Sequence, residues 1–353
     1  MRPARDPRKH SGNPEIKKVP IPSVLSLRKN SKETLEFLAY ASRQNRRNRK
    51  VRRKGAEKPN SYFDFVELRE ICPATALILC SIYDVYQMRG GDFEVFDYDS
   101  WHPEVKKTFE RIGFFKWLDF KGIPSSFECS VDLPINAFES ESLHIPERPI
   151  LYFQNLVSAF NASRQKNLES TIDEGTSRRV ASSVLEAVEN SVRHAYHQGI
   201  PKDIRRRWWV GGVSNPSSGQ VMVACYDCGI SIPGSIEVSD FGDERGVRRY
   251  VRDVLGRYLR MKEVAEAENE LDHKRLEVAL RYLSSTSGVD GGGKGLAHIA
   301  STIDECEDGS VEIFTRRAHF HVKKDGHGRC DLLPAAMPGT LIIWRMQLYP
   351  QSS

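Results

Sequence analysis

Apolar residues recur along the chain with two periods, which predict helices and strands in two separate groups. In the first group, YFDFVEL (62–68) and FEVFDYD (93–99) have the aromatic and β-branched content of strands. Residues 71–88 predict a helix with Pro73 in its first turn, and residues 102–118 predict a short helix that Gly113 closes. This alternation predicts a small α/β domain over residues 59–135.

The second group of predicted elements runs from residue 140 to residue 353. Residues 150–164 and 177–199 predict helices, while RRWWVGGV and QVMVACYD predict a hairpin across the turn SNPSSG. A long charged helical region precedes the final strands SVEIFTRRAHFHV and GTLIIWRM. The predicted fold class is therefore α+β: a two-layer α/β sandwich of helices on a mixed, mostly antiparallel sheet, preceded by the small α/β domain and a basic tail.

The net charge of +5 masks a strongly basic N-terminal segment. Residues 1–60 contain 18 Lys and Arg against 5 Asp and Glu, which leaves 34 basic and 42 acidic residues in the remainder. Because like charges repel and few apolar residues are present, residues 1–58 are predicted to form a disordered, solvated tail. The alternative is that the densest run, from Arg43 to Lys54, binds RNA or DNA phosphates, although no aromatic residue is interleaved there.

Length and composition exclude several classes of protein. The 353 residues suffice for two modest domains, and no apolar run approaches the length of a membrane span. The start MRPARDPRKH lacks the apolar stretch of a signal peptide, so a cytoplasmic protein with no membrane partner is expected. The cysteines are scattered, and the CxxC of Cys225 and Cys228 is interpreted as two buried thiols beside an aspartate.

The glycine-rich stretch GVDGGGKG nearly matches the P-loop pattern, but Gly295 stands where that pattern requires Ser or Thr. The preceding residues RLEVALRYL have helical spacing, whereas a P-loop follows a strand. A dinucleotide-binding G-x-G-x-x-G would need glycine at Leu296, again after a strand. Both of these phosphate-binding loops are therefore excluded.

A polar stripe lies on the predicted helix around EAVENSVRHA (186–195). Glu186, Asn190 and His194 follow at intervals of four residues, so they share one side of the helix. An amide oxygen suits Mg²⁺, and a carboxylate one turn away suits proton acceptance from water. Taken alone, however, the segment is better explained as an ordinary amphipathic helix with a solvated polar side. Its apolar side comprises Val184, Ala187, Val188, Ser191, Val192 and Ala195.

Four motifs follow in order along the second domain. Glu-x-x-x-Asn in EAVEN precedes Asp-x-Gly-x-x-x-Pro in DCGISIP, Gly-x-Gly-x-Gly-Leu in GGGKGL, and Gly-Thr before LIIW. Asp227 leaves a predicted strand, where a carboxylate is able to accept the amino hydrogen of adenine, and Gly229 permits close approach of a nucleotide. Together the motifs resemble the GHKL, or Bergerat-fold, ATPase superfamily over roughly residues 150–350. The first motif is most similar to the N-box of histidine kinases and anti-sigma-factor kinases.

The resemblance implies a site for ATP and Mg²⁺. Glu186 would be the catalytic residue that orients or deprotonates water, and Asn190 would ligate Mg²⁺. His194 would be either a phosphate contact or a capped surface residue. Ser231 stands where the superfamily usually has glycine, and a serine fits there if its backbone dihedrals are ordinary. The other implied ATP-binding residues are Asp227 at adenine, Gly229 at the pocket wall, Thr340 beneath the base, and Gly291, Gly293, Lys294, Gly295 and Leu296 at the phosphates, with a lid over about residues 234–290.

Three functions agree with this interpretation. The first is an ATP-dependent switch with slow hydrolysis, in which nucleotide orders the lid and a partner or the N-terminal domain responds. The first alternative is a protein serine/threonine kinase of anti-sigma-factor type, because the small α/β domain weakly resembles a STAS domain. The second alternative is a nucleic-acid-binding protein that uses ATP only as a ligand. The expected partners are ATP and either a protein or a second copy of the chain.

Overall fold

The structure, a computed structural model, describes residues 17–53, 61–88, 97–118, 133–139, 174–190, 195–196, 207–215, 218–238, 271–277, 279–280 and 299–347. The chain divides into two compact units, Met1–Asn136 and Ala137–Ser353, so the boundary expected between residues 135 and 140 lies at this division. Helices and sheets occur together, which confirms the predicted α+β class. Within the ranges just given, no helix is both long enough and apolar enough to cross a bilayer.

Short parallel strand pairs and helices form the first unit. Its elements are β1 (Lys17–Pro20), β2 (Val24–Leu25), α1 (Ser31–Arg53), β3 (Ser61–Asp64), β4 (Glu70–Ile71), α2 (Pro73–Met88), a 3₁₀ helix (Tyr98–Ser100), α3 (Pro103–Arg111) and α4 (Phe114–Trp117). β1 pairs in parallel with β3, and β2 pairs in parallel with β4. Helix α1 is therefore the crossover connection of a β–α–β unit.

The predicted disordered tail over residues 1–58 is wrong for residues 17–53, which form β1, β2 and α1. Leu25, Leu35 and Leu38 are completely buried in this region. The charge count over sixty residues concealed two short apolar groups, VLSL and LEFLAY, which have enough apolar side chains to join a core. The basic run follows LEFLAY in the same helix and not in a separate tail.

Helix α2 begins at Pro73, two residues later than predicted, and Pro73 occupies the first helical position that proline favours. The predicted strand over residues 93–99 is wrong at residues 97–99. Asp97 has a left-handed backbone with φ of 53°, which ends any extended conformation, and Tyr98–Ser100 is a 3₁₀ helix. Residues 93–96 lie outside the described residues. Helix α3 ends before Gly113, as predicted, and Gly113, with φ of 72°, precedes a second short helix, α4.

The second unit is built on a five-stranded sheet. Its elements are β5 (Leu133–Glu139, which spans the division between the units), α5 (Glu174–Asn190), β6 (Arg207–Asn215), β7 (Gln220–Asp227), α6 (Ile232–Val238), a helical segment at 271–277 and 279–280, a 3₁₀ helix (Thr302–Glu305), β8 (Asp308–Lys323) and β9 (Arg329–Gln347). The strand order is β5-β6-β7-β9-β8, and the pairs β6–β7, β7–β9 and β8–β9 are antiparallel. The predicted hairpin across SNPSSG is confirmed as β6–β7. The last strand begins ten residues earlier than the predicted GTLIIWRM.

Two neighbouring rows of side chains cross four strands of this sheet, because residues paired directly across antiparallel strands share a face. The polar row consists of Thr315, Thr340, Asp227 and Trp208. The apolar row, one residue away on each strand and on the opposite face, consists of Phe314, Leu341, Tyr226 and Trp209. All eight residues are buried. At this level of the sheet, both faces are therefore buried.

Helix α5 packs on the polar-row face through its predicted apolar side. Four of the six predicted residues are buried, namely Val184, Ala187, Val188 and Ala195, while Ser191 and Val192 lie outside the described residues. Thr302 in the 3₁₀ helix donates a hydrogen bond to Ser183 of α5. The indole Nε1 of Trp344 on the same face donates to the carbonyl of Ile299 over 3.2 Å. These bonds attach the helices to the sheet beside the polar row.

Candidate functional site

A buried carboxylate and two hydroxyl groups lie at the same level of three neighbouring strands. Asp227 is the last residue of β7, and its fractional exposure is 4%. Thr340 of β9 pairs directly with Asp227, and its Oγ1 lies 3.1 Å from Oγ1 of Thr315 on β8. The predicted site residues Asp227 and Thr340 are therefore direct neighbours although 112 residues separate them in the chain.

The turn after β7 depends on Gly229. Its N–H donates to Oδ1 of Asp227 over 2.9 Å, which closes the first turn beyond the strand. A Cβ atom at position 229 would lie 2.3 Å from the carbonyl oxygen of Ala195, and the N–H of Ile230 donates to that oxygen over 2.8 Å. Any side chain at position 229 would thus push apart the β7 turn and the segment that follows α5. The predicted need for glycine has a structural basis at this position.

Gly339 fixes the approach of β9 to the same turn. It has φ of +85°, and a Cβ atom there would lie 1.9 Å from the carbonyl oxygen of Asp227. Both the backbone conformation and the space require glycine. Because Gly339 immediately precedes Thr340, the Gly-Thr motif places a hydroxyl in the polar row and leaves space for the Asp227 carbonyl beside it.

Ser231 adopts a backbone conformation that serine rarely takes. Its φ is 79°, so the condition under which a serine was expected to fit here, ordinary backbone dihedrals, is not met. Its Oγ accepts the N–H of Gly234 over 3.3 Å, which caps α6. The next N–H, that of Ile232, donates to Oγ1 of Thr315 over 3.1 Å. The start of α6 is therefore hydrogen-bonded to the polar row, and the chain retains the glycine-like conformation without the glycine.

Several predicted site residues are only partly described or are not described. Glu186 is half-buried on α5, and Asn190 is the last residue of that helix, so the two lie one helical turn apart. The Asn190 side chain lies outside the described part of the structure. So do His194, Gly291, Gly293, Lys294, Gly295 and Leu296, together with residues 239–270 and 281–290 of the predicted lid.

Sequence reasoning missed an ionic cluster at the edge of the site. The carboxylate of Asp272, which is 7% exposed, accepts the backbone N–H of Arg317 and a guanidinium N–H of Arg275, each over 3.3 Å. Arg316 stands at a β-bulge with φ of 46°, and its Nη1 lies 3.8 Å from Oδ1 of Asp272. The helical segment at 271–277 is thereby held to β8 directly beyond Thr315. An arginine pair interrupting an apolar strand was the signal available in the sequence.

The CxxC was interpreted as two buried thiols, and this is correct for Cys225 but only partly correct for Cys228. Cys225 is buried, and burial, followed by the nearby Asp227 charge, raises the pKa of its thiol. Cys228 is only half-buried, and its N–H donates to the hydroxyl of Tyr196 over 3.3 Å. The Tyr196 hydroxyl donates to the carbonyl of Arg207, and burial raises its pKa well above the ordinary value. Over the described ranges, no three His, Cys, Asp or Glu side chains group as metal ligands.

Comparisons of the chain with protein-family models, with curated proteins and with solved structures found no match. The resemblance to the GHKL superfamily therefore rests on the four sequence motifs. The polar row contains one residue from each of two of those motifs, namely Asp227 and Thr340, which pair directly in the sheet.

Proposed function

We propose that the second unit binds ATP with Mg²⁺ in a GHKL-type site on a Bergerat fold and acts as an ATP-dependent switch with slow hydrolysis. The observation that carries this proposal is the polar row, in which the buried Asp227 pairs with Thr340 across the strands and the Thr340 hydroxyl lies 3.1 Å from that of Thr315. Asp227 and Thr340, the two residues that the resemblance assigns to adenine, come from separate strands and pair directly in the sheet. The N-box helix α5 contacts β7, the strand that ends in Asp227.

The donors and acceptors of the polar row fit an adenine ring. An ionised carboxylate has acceptor positions for more than one hydrogen, so Asp227 is able to accept both the Gly229 N–H and the exocyclic amino group of adenine. The Thr340 hydroxyl is able both to donate and to accept, which suits a ring nitrogen reached directly or through water. Guanine has an acceptor oxygen where adenine has its amino group. The site should therefore prefer ATP to GTP.

The phosphate end of the site would be formed by the other two motifs. Asn190 would hold Mg²⁺ through its amide oxygen, and the ion would neutralise phosphate charge. Backbone N–H groups of Gly291, Gly293, Gly295 and Leu296 would bind phosphate oxygens, with Lys294 adding a positive charge. Glu186 would accept the proton of the attacking water while the bond from the γ-phosphorus to its bridging oxygen breaks, giving ADP and phosphate.

Calorimetric titration of the full chain with Mg²⁺ and ATP tests the binding site. Asp227→Asn replaces one carboxylate acceptor with a donor, and a hydrogen bond to a charged group contributes about 1.5–3 kcal/mol, so affinity should fall about 10- to 100-fold. Asn190→Ala should weaken binding only when Mg²⁺ is present. The matched control is Asp304→Asn at an exposed position, which should bind ATP as the unaltered chain does. Unchanged ATP affinity in both Asp227→Asn and Asn190→Ala would refute the assignment.

Incubation with ATP labelled on the γ-phosphate tests the reaction. Label released as phosphate, and lost in Glu186→Gln, supports the switch with slow hydrolysis. Label transferred to a serine or threonine would contradict it in favour of the kinase alternative. Retained ATP binding with neither product would make ATP a ligand only.

A further inference from the structure

Helix α1 is divided into a buried half and a basic half. Leu35, Leu38 and Ala41 in the first half are completely buried, and the only acidic residues of the helix, Glu33 and Glu36, also lie there. From residue 43 to residue 53, seven of eleven residues are Arg or Lys and none is Asp or Glu. One end of the helix is thus anchored in the first unit, and the other end carries a continuous positive charge.

The helical spacing of the exposed residues in the buried half continues into the basic half. Exposed residues of α1 follow at helical spacing, namely Lys32, Glu36, Tyr40 and Arg43. Arg46, Arg47 and Lys50 come three, four and seven residues after Arg43, so their positions fall on the same side of the helix. We call Arg43, Arg46, Arg47 and Lys50 the basic stripe. It lies on the side of α1 away from Leu38 and Ala41.

We propose that the basic half of α1 binds the phosphate backbone of a nucleic acid. Ten helical steps of 1.5 Å separate Arg43 from Arg53, so seven cations span about 15 Å, or one per about 2 Å. Duplex DNA carries one phosphate per about 1.7 Å of its axis, which is a closely similar charge density of opposite sign. Cations three and four residues apart repel one another and destabilise an isolated helix, and bound phosphates relieve that repulsion.

The composition of the basic half favours a nucleic acid over a lipid surface. A helix that lies on a membrane inserts an apolar side between the lipids, and Val51 is the only apolar residue between Arg43 and Arg53. The same segment has no aromatic residue to stack on bases. Contacts to phosphate carry no sequence information by themselves, so binding should be nearly independent of base sequence.

The test is fluorescence anisotropy of the full chain with labelled duplex DNA, single-stranded DNA and duplex RNA, repeated over a series of salt concentrations. The test variant changes all four basic-stripe residues to Gln, which removes the charge and retains high helix propensity. If each contacts one phosphate of duplex DNA, the slope of log affinity against log salt should become less steep by about 3.6. A control variant with the same change in charge replaces four exposed basic residues outside α1 with Gln, namely Lys107, Lys116, Lys323 and Arg329. Its salt slope should match that of the unaltered chain.

Three results would overturn the proposal. One is equal weakening by the basic-stripe and control variants, which would indicate a general charge effect. Another is no binding of any of the three nucleic acids at low salt. The third is binding to vesicles containing phosphatidylserine without binding to nucleic acid. Circular dichroism and ATP titration of the same variants show whether they remain folded and keep the site proposed above, so failure of one proposal is distinguishable from failure of the other.

Discussion

Replacing Ser231 by glycine and by alanine tests whether the turn into α6 is strained. An L-residue in the left-handed region costs roughly 1–2 kcal/mol, and Ser231 has φ of 79°. Glycine removes this cost, whereas alanine retains it. Both replacements remove the cap from Oγ to the Gly234 N–H, at a cost of a few tenths of a kcal/mol for glycine and about 1 kcal/mol for alanine.

A glycine variant is usually less stable than the alanine variant at the same position, and at position 231 the reverse is expected. Glycine loses about 0.4–1 kcal/mol relative to alanine through its greater freedom in the unfolded chain. Relief of strain and the smaller capping loss outweigh this term, so Ser231→Gly should be more stable than Ser231→Ala by about 1 kcal/mol. For a unit of this size the difference corresponds to about 2–4 °C in melting temperature.

Calorimetric or fluorescence melting of the two full-length variants measures this difference. Ser235, three positions into α6 and without a positive φ, provides the matched control pair. Within a helix, glycine is about 1 kcal/mol less favourable than alanine, so Ser235→Gly should melt below Ser235→Ala. An alanine variant at position 231 that melts at or above the glycine variant would refute the strain at Ser231.

Three further perturbations follow from the structure. Gly339→Ala should destabilise the second unit by about 3 kcal/mol or more, because it combines a positive φ with a Cβ that would lie 1.9 Å from a backbone oxygen. Gly326→Ala, whose Cβ would have its nearest contact at 3.1 Å, should cost under about 1 kcal/mol, and thermal melting of both variants measures the difference. Asp272→Asn should lower the free energy of unfolding by about 2 kcal/mol, measured by denaturant titration. The control is Asp331→Asn, which removes the exposed ion pair with Arg329 and should cost about 0.5 kcal/mol or less. Since burial raises the pKa of Cys225 above its ordinary 9.0, the unfolded chain loses this proton first, and stability should fall by about 1.4 kcal/mol per pH unit above pH 9. Cys225→Val should make this slope less steep by about 1.4 kcal/mol per pH unit, which corresponds to one proton. An unaltered slope would show that the pH dependence does not come from the Cys225 thiol.

The pattern of apolar and polar residues correctly predicted those elements whose whole pattern lies within one short stretch of the sequence. The apolar spacing of Val184, Ala187 and Val188 identified the buried side of α5, and the turn SNPSSG between two apolar runs identified the β6–β7 hairpin. In the first unit the total charge of residues 1–60 obscured α1, because composition averaged over a long window hides a short apolar group such as Leu35 and Leu38.

The candidate site was less predictable, since its geometry comes from pairing between distant strands. Sequence motifs identified Asp227 and Thr340, but Thr315 joins them only through the register of β8 on β9. The left-handed backbone of Ser231 was not predictable from its residue type, because the surrounding turn and the cap impose it. Asp272 likewise reaches the edge of the site only through tertiary contacts with the bulge.

The register of the sheet makes the polar row an all-or-none assembly. Displacing β9 by one residue along β7 would replace Thr340 with Leu341 or Gly339 beside Asp227, since neighbouring residues face opposite sides of a strand. No intermediate alignment offers part of the row, and the narrow fit of Gly339 against the Asp227 carbonyl permits only one alignment. A change that shifts this register should therefore lose the whole row, whereas a substitution that keeps the register, such as Asp227→Asn, should alter only the group that it replaces. Graded changes in ligand affinity are therefore expected only from variants that keep the pairing of β9 with β7.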